Sequence, residues 1–435
     1  MVLINAQSPR RALFFVVAVT LAVCILTQLP VEAANTVPGN NTLVTVNNVD
    51  GQGADANSNV RAVSADGNII LFTSASSNLG VSGGLYQRNV LAGTTAAMSM
   101  STAGTVSVGD IVAAAMSETG RYVAFTTSAT GLIDGVTEPQ YQTYVRDMQA
   151  GTTSIITVYP GTTTASGNTN TSAWDYVTGI SNDGRFVTIE SKVLANRQIS
   201  SSMRTGYYDV LLLDRATGTW QLLNPGGTTS SVQTVQSRMS CDGSFVVLLQ
   251  SRSVYLADIR NASTPTVSLI AGSTSYRPDI SCNGDYIMYQ TQNRSDITPT
   301  PSGMSSYAHV VRYNRITGER KYIDSDSAGT TYSNSALTIY TADAEKPTPT
   351  PLYQISDAGD AVVSYSGGVY LKHLSDASGT LEALVKTGST SYTNQGFTYL
   401  SASGKYTSYS YNAYTLDLIT SNTGFKDIVR SATGL

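Results

Sequence analysis

Charge is scarce in this 435-residue chain. Charged residues make up 13%, about half the ~25% usual in a soluble domain. Twenty-six Lys and Arg face 30 Asp and Glu, for a formal net charge of −4. Without a basic excess, binding nucleic acid by phosphate neutralisation is excluded. Two His and three Cys leave almost no material for a His-based catalytic or metal cluster. Trp and Phe are few, 2 and 8, whereas Tyr reaches 26. At 41% hydrophobic, the chain has enough apolar residues to exclude wholesale disorder.

The N-terminus reads as an export signal. Arg10 and Arg11 supply a positive start, 12–26 is an uncharged apolar run, and Val31-Glu32-Ala33 fits a peptidase site. Cleavage is expected after Ala33. Thr27, Gln28 and Pro30 stop the apolar run short of the ~20 residues a membrane span needs. The expected parts are a signal peptide, 1–33, and one exported domain, 34–435, without a further span. Its place is periplasmic, cell-surface or extracellular.

One phrase returns seven times: Ser64-Ala65-Asp66-Gly67, Ser117-Glu118-Thr119-Gly120, Ser181-Asn182-Asp183-Gly184, Ser240-Cys241-Asp242-Gly243, Ser281-Cys282-Asn283-Gly284, Ser356-Asp357-Ala358-Gly359 and Ser401-Ala402-Ser403-Gly404. The copies lie about 40–75 residues apart. Each precedes a β-branched or aromatic run. Asp-Gly and Asn-Gly favour tight hairpins because both residues tolerate positive φ. A second hairpin follows each first one. Its leading strand ends in a polar slot: Asn89, Asp147, Asp214, Asp258, Asn314, His373 and Asp417. Two hairpins make a four-stranded sheet that cannot cover both its faces alone. Seven sheets stacked radially can. The fold expected is all-β: a single seven-bladed β-propeller of four-stranded blades. Separate β-sandwich domains would need periods near ~100 residues. Thr42 to Val46 and Phe425 to Val429 both look like outer strands of the last blade.

Ser-x-Asp-Gly-Arg-Tyr/Phe-Val followed by Tyr-Val-Arg-Asp-x-x-x-Gly-Thr-Thr resembles the TolB-like, WD40-type propeller repeat of exported bacterial proteins. The likeness is greatest at 117–127 with 143–153, and at 181–189. It extends weakly over most of 40–430. Thr119, Ala358 and Ser403 depart from it at the turn Asx, which puts those three hairpins in question. The resemblance implies a propeller outside the cytoplasm, in a family with envelope members that bind partner proteins at a propeller face. Similar repeats occur in serine peptidases, but this chain has no room for their hydrolase domain.

Candidate chemistry is sparse. Gly80-Val81-Ser82-Gly83-Gly84 matches Gly-x-Ser-x-Gly, but sits between strands instead of at a strand-to-helix elbow. Asp66, Asp183, Asp242 and Asn283 occupy one place in four units; they suit a ring for a structural cation or simple turn chemistry, the preferred reading. The polar slots suit backbone capping, and His309 and His373 are read as structural. Cys241 and Cys282 hold matching places in consecutive units. They are either a disulfide, worth about 4 kcal/mol in the chain-entropy model, or two small buried thiols. The Tyr excess suits either sugar or peptide recognition or plain strand propensity.

The function expected is a non-catalytic platform for an envelope or extracellular protein or peptide, with no cofactor. The alternatives are a carbohydrate-binding or carbohydrate-active propeller (lectin, glycosidase or lyase), with a glycan as ligand, and a structural module of a surface assembly. The loop at 346–351 would suit the last.

Overall fold

Each phrase closes a hairpin through its own side chains. The computed structural model describes residues 41–80, 83–134, 141–157, 175–192, 207–226, 232–297, 308–330, 332, 355–365, 368–375, 379–383, 398–411 and 427–433. In the third unit the Ser181 hydroxyl accepts the Phe186 amide at 2.9 Å and donates to Asp183 at 2.6 Å. Asp183 accepts the Arg185 amide at 2.9 Å. The Gly184 amide donates to the Ser181 carbonyl at 2.8 Å. The loop is wider than the two-residue hairpin that Asp-Gly suggests, because the serine hydroxyl holds an amide five residues on. Asp66, Asp242 and Asn283 repeat this arrangement. The units without Asx also form the turn. Gly120, Gly359 and Gly404 donate to Ser117, Ser356 and Ser401 at 2.8, 2.9 and 2.9 Å. Serine and glycine therefore suffice.

The strands, in chain order, are β1 (Asn41–Leu43); β2 (Ser58–Val63), β3 (Ile69–Ser74), β4 (Gly84–Asn89) and β5 (Thr94–Ala97); β6 (Ile111–Met116), β7 (Tyr122–Thr127), β8 (Gln142–Asp147) and β9 (Thr152–Ile155); β10 (Tyr176–Ile180), β11 (Phe186–Ser191), β12 (Asp209–Asp214) and β13 (Thr219–Leu222); β14 (Thr234–Met239), β15 (Phe245–Gln250), β16 (Ser253–Asp258) and β17 (Thr266–Ala271). The remainder are β18 (Ser275–Ile280), β19 (Tyr286–Thr291), β20 (His309–Asn314) and β21 (Arg320–Tyr322); β22 (Ala361–Tyr365), β23 (Gly368–Lys372) and β24 (Leu381–Ala383); β25 (Thr398–Leu400), β26 (Tyr406–Tyr411) and β27 (Asp427–Ala432).

They pair antiparallel into six four-stranded sheets and one three-stranded sheet, β22-β23-β24. The expected seven four-stranded blades are thus six among the described residues. In the remaining unit Ile355 makes only an isolated bridge to Ala361, and residues 333–354, including the Pro-Thr loop, lie outside the described part.

The last sheet runs β1-β27-β26-β25. The N-terminal strand is therefore outermost in the C-terminal blade. The expected third strand at 414–417 lies outside the described residues, and β27 fills that place, with Tyr406 opposite Ala432. Pairing β1 with β27 joins the two ends of the described chain.

Apolar clusters lie between blades. Leu211 and Leu213 of β12 pack with Ala113, Ala124 and Val145 of the preceding blade. Val210 and Leu212 of the same strand pack with Val246 and Leu248 of the next. Alternate residues thus serve opposite faces, and both faces are covered. At the seam, Val44 and Ile428 pack with Val60, Ile70 and Phe72. Tyr86, Tyr144, Tyr276, Tyr289 and Tyr399 are among the largest fully buried side chains, so much of the Tyr excess builds core.

Neighbouring turns also interlock. A Cβ on Gly184 would lie 2.7 Å from the Tyr122 ring of the previous blade, and one on Gly67 would lie 2.4 Å from Tyr406 of the last. Gly243 meets Phe186 and Gly284 meets Phe245 in the same way. The residue after each serine links the turns further. The Ala65 amide donates to Glu118 O at 3.0 Å, Asn182 to Cys241 O at 2.7 Å, Cys241 to Cys282 O at 2.8 Å, and Asp357 to Ala402 O at 2.9 Å. Side chains complete the circuit: Glu118 N donates to Asn182 Oδ1 at 2.9 Å and Asn283 N to Asp357 Oδ1 at 2.7 Å. Ser403 N returns to Ala65 O at 3.1 Å. The chain closes on itself around one mouth.

A matched pair of substitutions tests the interlock. Gly184 and Gly218 have nearly equal φ, +70° and +71°, but nothing lies within 4 Å of a Cβ on Gly218. Gly218→Ala should cost the left-handed penalty alone, about 1–2 kcal/mol. Gly184→Ala should cost a further ~1–3 kcal/mol from overpacking on Tyr122. Urea unfolding midpoints measure both, and equal losses would contradict the interlock.

Candidate functional site

The innermost strands surround a central channel, and five of them are bulged. The register breaks at Arg61 in β2, Val112 in β6 and Thr178 in β10, and between Val235 and Arg238 in β14 and Tyr276 and Asp279 in β18. Gln236 and Arg277 sit at φ +55° and +52°, a conformation costly for side chains of this kind. Bulges re-aim side chains and recur beside functional sites.

The channel holds a cavity of about 160 Å³. Nearest the turns, Glu118, Cys241, Cys282 and Ala402 line it. One step inward is a collar with one apolar side chain from each unit: Val63, Met116, Ile180, Met239, Ile280, Ile355 and Leu400. Each immediately precedes the serine of its phrase. Deeper still lie Arg61, Arg238, Asp279 and Tyr399.

The buried charges are unevenly matched. Burial pushes the Asp279 carboxyl up to about 7, offset by the charge of Arg238. Burial likewise pushes Glu190 up to about 7, against the pull of Ser237 and Arg238. Its Oε1 accepts the Ser237 amide at 2.8 Å and hydroxyl at 3.1 Å. Glu118 rises to about 8, first through burial and then through the nearby carboxylates of Asp357 and Asp66. Arg238 thus faces two acids, whereas no carboxylate among the described residues acts on Arg61.

Cys241 and Cys282 form a disulfide with Cα atoms 4.7 Å apart. Glu118 Oε1 lies 2.8 Å from Cys241 Sγ. Among the described residues, these three alone bring donor atoms close enough for one metal ion, within 4.8 Å. Joined sulfurs offer no thiolate, the form that binds metals.

The other residues singled out from sequence have local partners. Asp66, Asp183, Asp242 and Asn283 each bond the serine and an amide of their own turn. Asn89, Asp147, Asp214, Asp258 and Asn314 each accept amides from the turn that follows them. Arg121 pairs with Asp147 at 2.8 Å and Arg185 with Asp214 at 2.7 Å, stacked on Tyr122 and Phe186. In the sixth unit the turn is one residue shorter: the Ser356 hydroxyl accepts the Asp360 amide, where that of Ser117 accepts the Tyr122 amide. Lys372 opposite Ala361 therefore matches Arg146 opposite Val123, and His373 stands in the slot. Asp417 and Ser82 lie outside the described residues. His309 is buried, 2.8 Å from Asp324, with Tyr322 and Tyr332 edge-on to its ring.

Sequence reading missed the channel charges and Tyr399. Arg238, Asp279 and Tyr399 each lie two residues before the serine of a phrase, and Arg61 three before. Aligning the units on that serine would have exposed a charged or aromatic residue where others have Ala62, Ala115 and Gly179. Glu118 stood inside a phrase and drew no notice.

The raised carboxyls set a pH dependence. A group protonated in the folded state to about 7 loses stability as pH rises from its unfolded value near ~4.3 through its folded one. Asp147, held down to about 2 chiefly by the Arg121 hydrogen bond, has the opposite sign; its contribution is complete above ~4 and constant beyond. The urea midpoint should therefore fall from about pH 5 to about pH 7, and Glu190→Gln should flatten that fall. A Glu190→Gln profile as steep as that of the parent would contradict the assignment.

No family model and no curated protein matches the sequence. Solved structures do. A putative TolB from Agrobacterium tumefaciens matches with TM-score 0.38 and 16% identity, over 61% of this chain and 80% of that one. TolB from Acinetobacter baumannii matches with TM-score 0.34 and 11% identity, over 87% of this chain and 64% of that one. An oligogalacturonate lyase in complex with manganese matches with TM-score 0.51 and 8% identity, over 91% of this chain and 98% of that one. The last likeness carries a conclusion about fold alone: the chain is a β-propeller.

Proposed function

We propose that the protein is an exported, non-catalytic β-propeller that docks a protein or peptide partner at the turn-bearing mouth of its channel. One observation carries this reading. A collar with one apolar side chain from each of the seven units, two of them methionines, lines the cavity next to that mouth. Such a surface takes apolar side chains of varied shape. Among the described residues no helix is long and apolar enough to cross a membrane.

A carbohydrate reading has one observation in its favour: Glu118 and Asp279, both inclined to hold a proton, line the same channel. The two acids have separate neighbours, Asp357 and Asp66 for one and Arg238 for the other.

Immobilised protein, incubated with envelope and culture-medium fractions, separates the two. Bound proteins are identified by mass spectrometry and bound glycans by sugar analysis. A specific protein should be captured, and Met116→Glu with Met239→Glu should lose it at an unchanged circular dichroism spectrum. Capture of glycan without protein would overturn the proposal.

A further inference from the structure

Two side chains lining the same small cavity, Arg61 and Tyr399, carry donors that no described residue accepts. Tyr399 is 2% exposed, and its buried hydroxyl has no partner among the described residues. Leaving such a group unpaired costs about 1–3 kcal/mol. Arg61, placed at the β2 bulge, uses only its Nε, which donates to Thr73 Oγ1 at 3.3 Å. Burial lowers its pKa, and no carboxylate among the described residues opposes this. Arg238 is committed elsewhere: it lowers the pKa values of both Asp279 and Glu190, and its Nη1 donates to Ser237 O at 2.7 Å.

Guanidinium Nη groups and a hydroxyl that find no acceptor among the described residues call for a small anion with two oxygens. A guanidinium matches a carboxylate in charge and geometry. The apolar collar lies between this pair and the mouth, so the group that carries the carboxylate should also carry a short apolar side chain.

We propose that Arg61 and Tyr399 form a binding site for the carboxylate of an apolar residue, supplied either by the C-terminus of a peptide or by a free small acid. The site deepens the docking reading above and rests on it only for the peptide source. The guanidinium binds the carboxylate, the phenol donates a second hydrogen bond, and the collar takes the side chain. Asp279 lies in the same wall. Its tendency to hold a proton, and the charge of Arg238 beside it, limit its repulsion of an incoming anion.

Isothermal titration calorimetry on the full chain tests this with three probes: an acetylated pentapeptide ending in free leucine, the same peptide as its C-terminal amide, and N-acetylleucine. The acid peptide, N-acetylleucine or both should bind, and the amide at least about tenfold more weakly. Tyr399→Phe and Arg61→Gln should each weaken the acid by about tenfold at an unchanged unfolding midpoint. Tyr399→Phe removes only an unpartnered hydroxyl, so it should fold normally. A peptide that binds much more tightly than N-acetylleucine assigns the site to a chain terminus; equal affinity assigns it to a free acid. Equal binding of acid and amide, unaltered binding by both variants, or no binding at millimolar probe would overturn the site. A captured protein partner lost on collar substitution but kept by Arg61→Gln would overturn the carboxylate site and leave the docking reading intact.

Discussion

Gly184, Gly243, Gly284 and Gly359 leave room for a ring at the start of the second strand of the preceding blade, Gly120 leaves room for Ile69 there, and Gly67 does the same for Tyr406 of the last blade. A radial array has to bury both faces of every sheet, and short strands contribute little individually. Gly184 against Tyr122 and Gly67 against Tyr406 hold neighbouring sheets at a fixed distance on the channel side. The hydrogen bonds from turn to turn, Ala65 to Glu118 and Ser403 back to Ala65, fix the same spacing. Blade-to-blade apolar clusters then fill the wedge outside this ring.

The channel follows from that ring. Inner strands drawn toward an axis have no room for a regular ladder of large side chains. Ala62, Ala115 and Gly179 are small where blades 1 to 3 meet the axis, and bulges in β2, β14 and β18 accommodate the larger residues. Arg61, Arg238, Asp279 and Tyr399 are thus grouped by topology although far apart in the chain. The disulfide between Cys241 and Cys282 fastens two consecutive turns beside Glu118.

The fold was largely legible, because the phrase contains its own cause. Serine, Asx and glycine close the turn with bonds internal to each copy, and internal chemistry can be read from one copy. What passes between copies was not legible. The aromatic residue after Gly184 looked like ordinary strand sequence, yet Phe186 meets the turn of the next blade at Gly243. The last blade was misread for the same reason: β27 and β1 were both recognisable as strands, but only pairing across the whole ring shows that β27 is third and β1 fourth. In the sixth unit the turn is one residue shorter, with the Ser356 hydroxyl holding the Asp360 amide, and the phrase alone did not show it. The site was the least legible part, since its polar residues come from separate units and share no motif.

Closure of the ring is the claim on which the channel and its contents rest. Hydrogen–deuterium exchange followed by mass spectrometry tests it directly on peptides covering 41–46 and 427–432. The account predicts that both are protected and exchange together with the core strands, since Val44 N donates to Ile428 O at 2.8 Å across the seam. Full exchange of 41–46 within seconds, while 427–432 stays protected, would show an unpaired N-terminal strand and contradict closure.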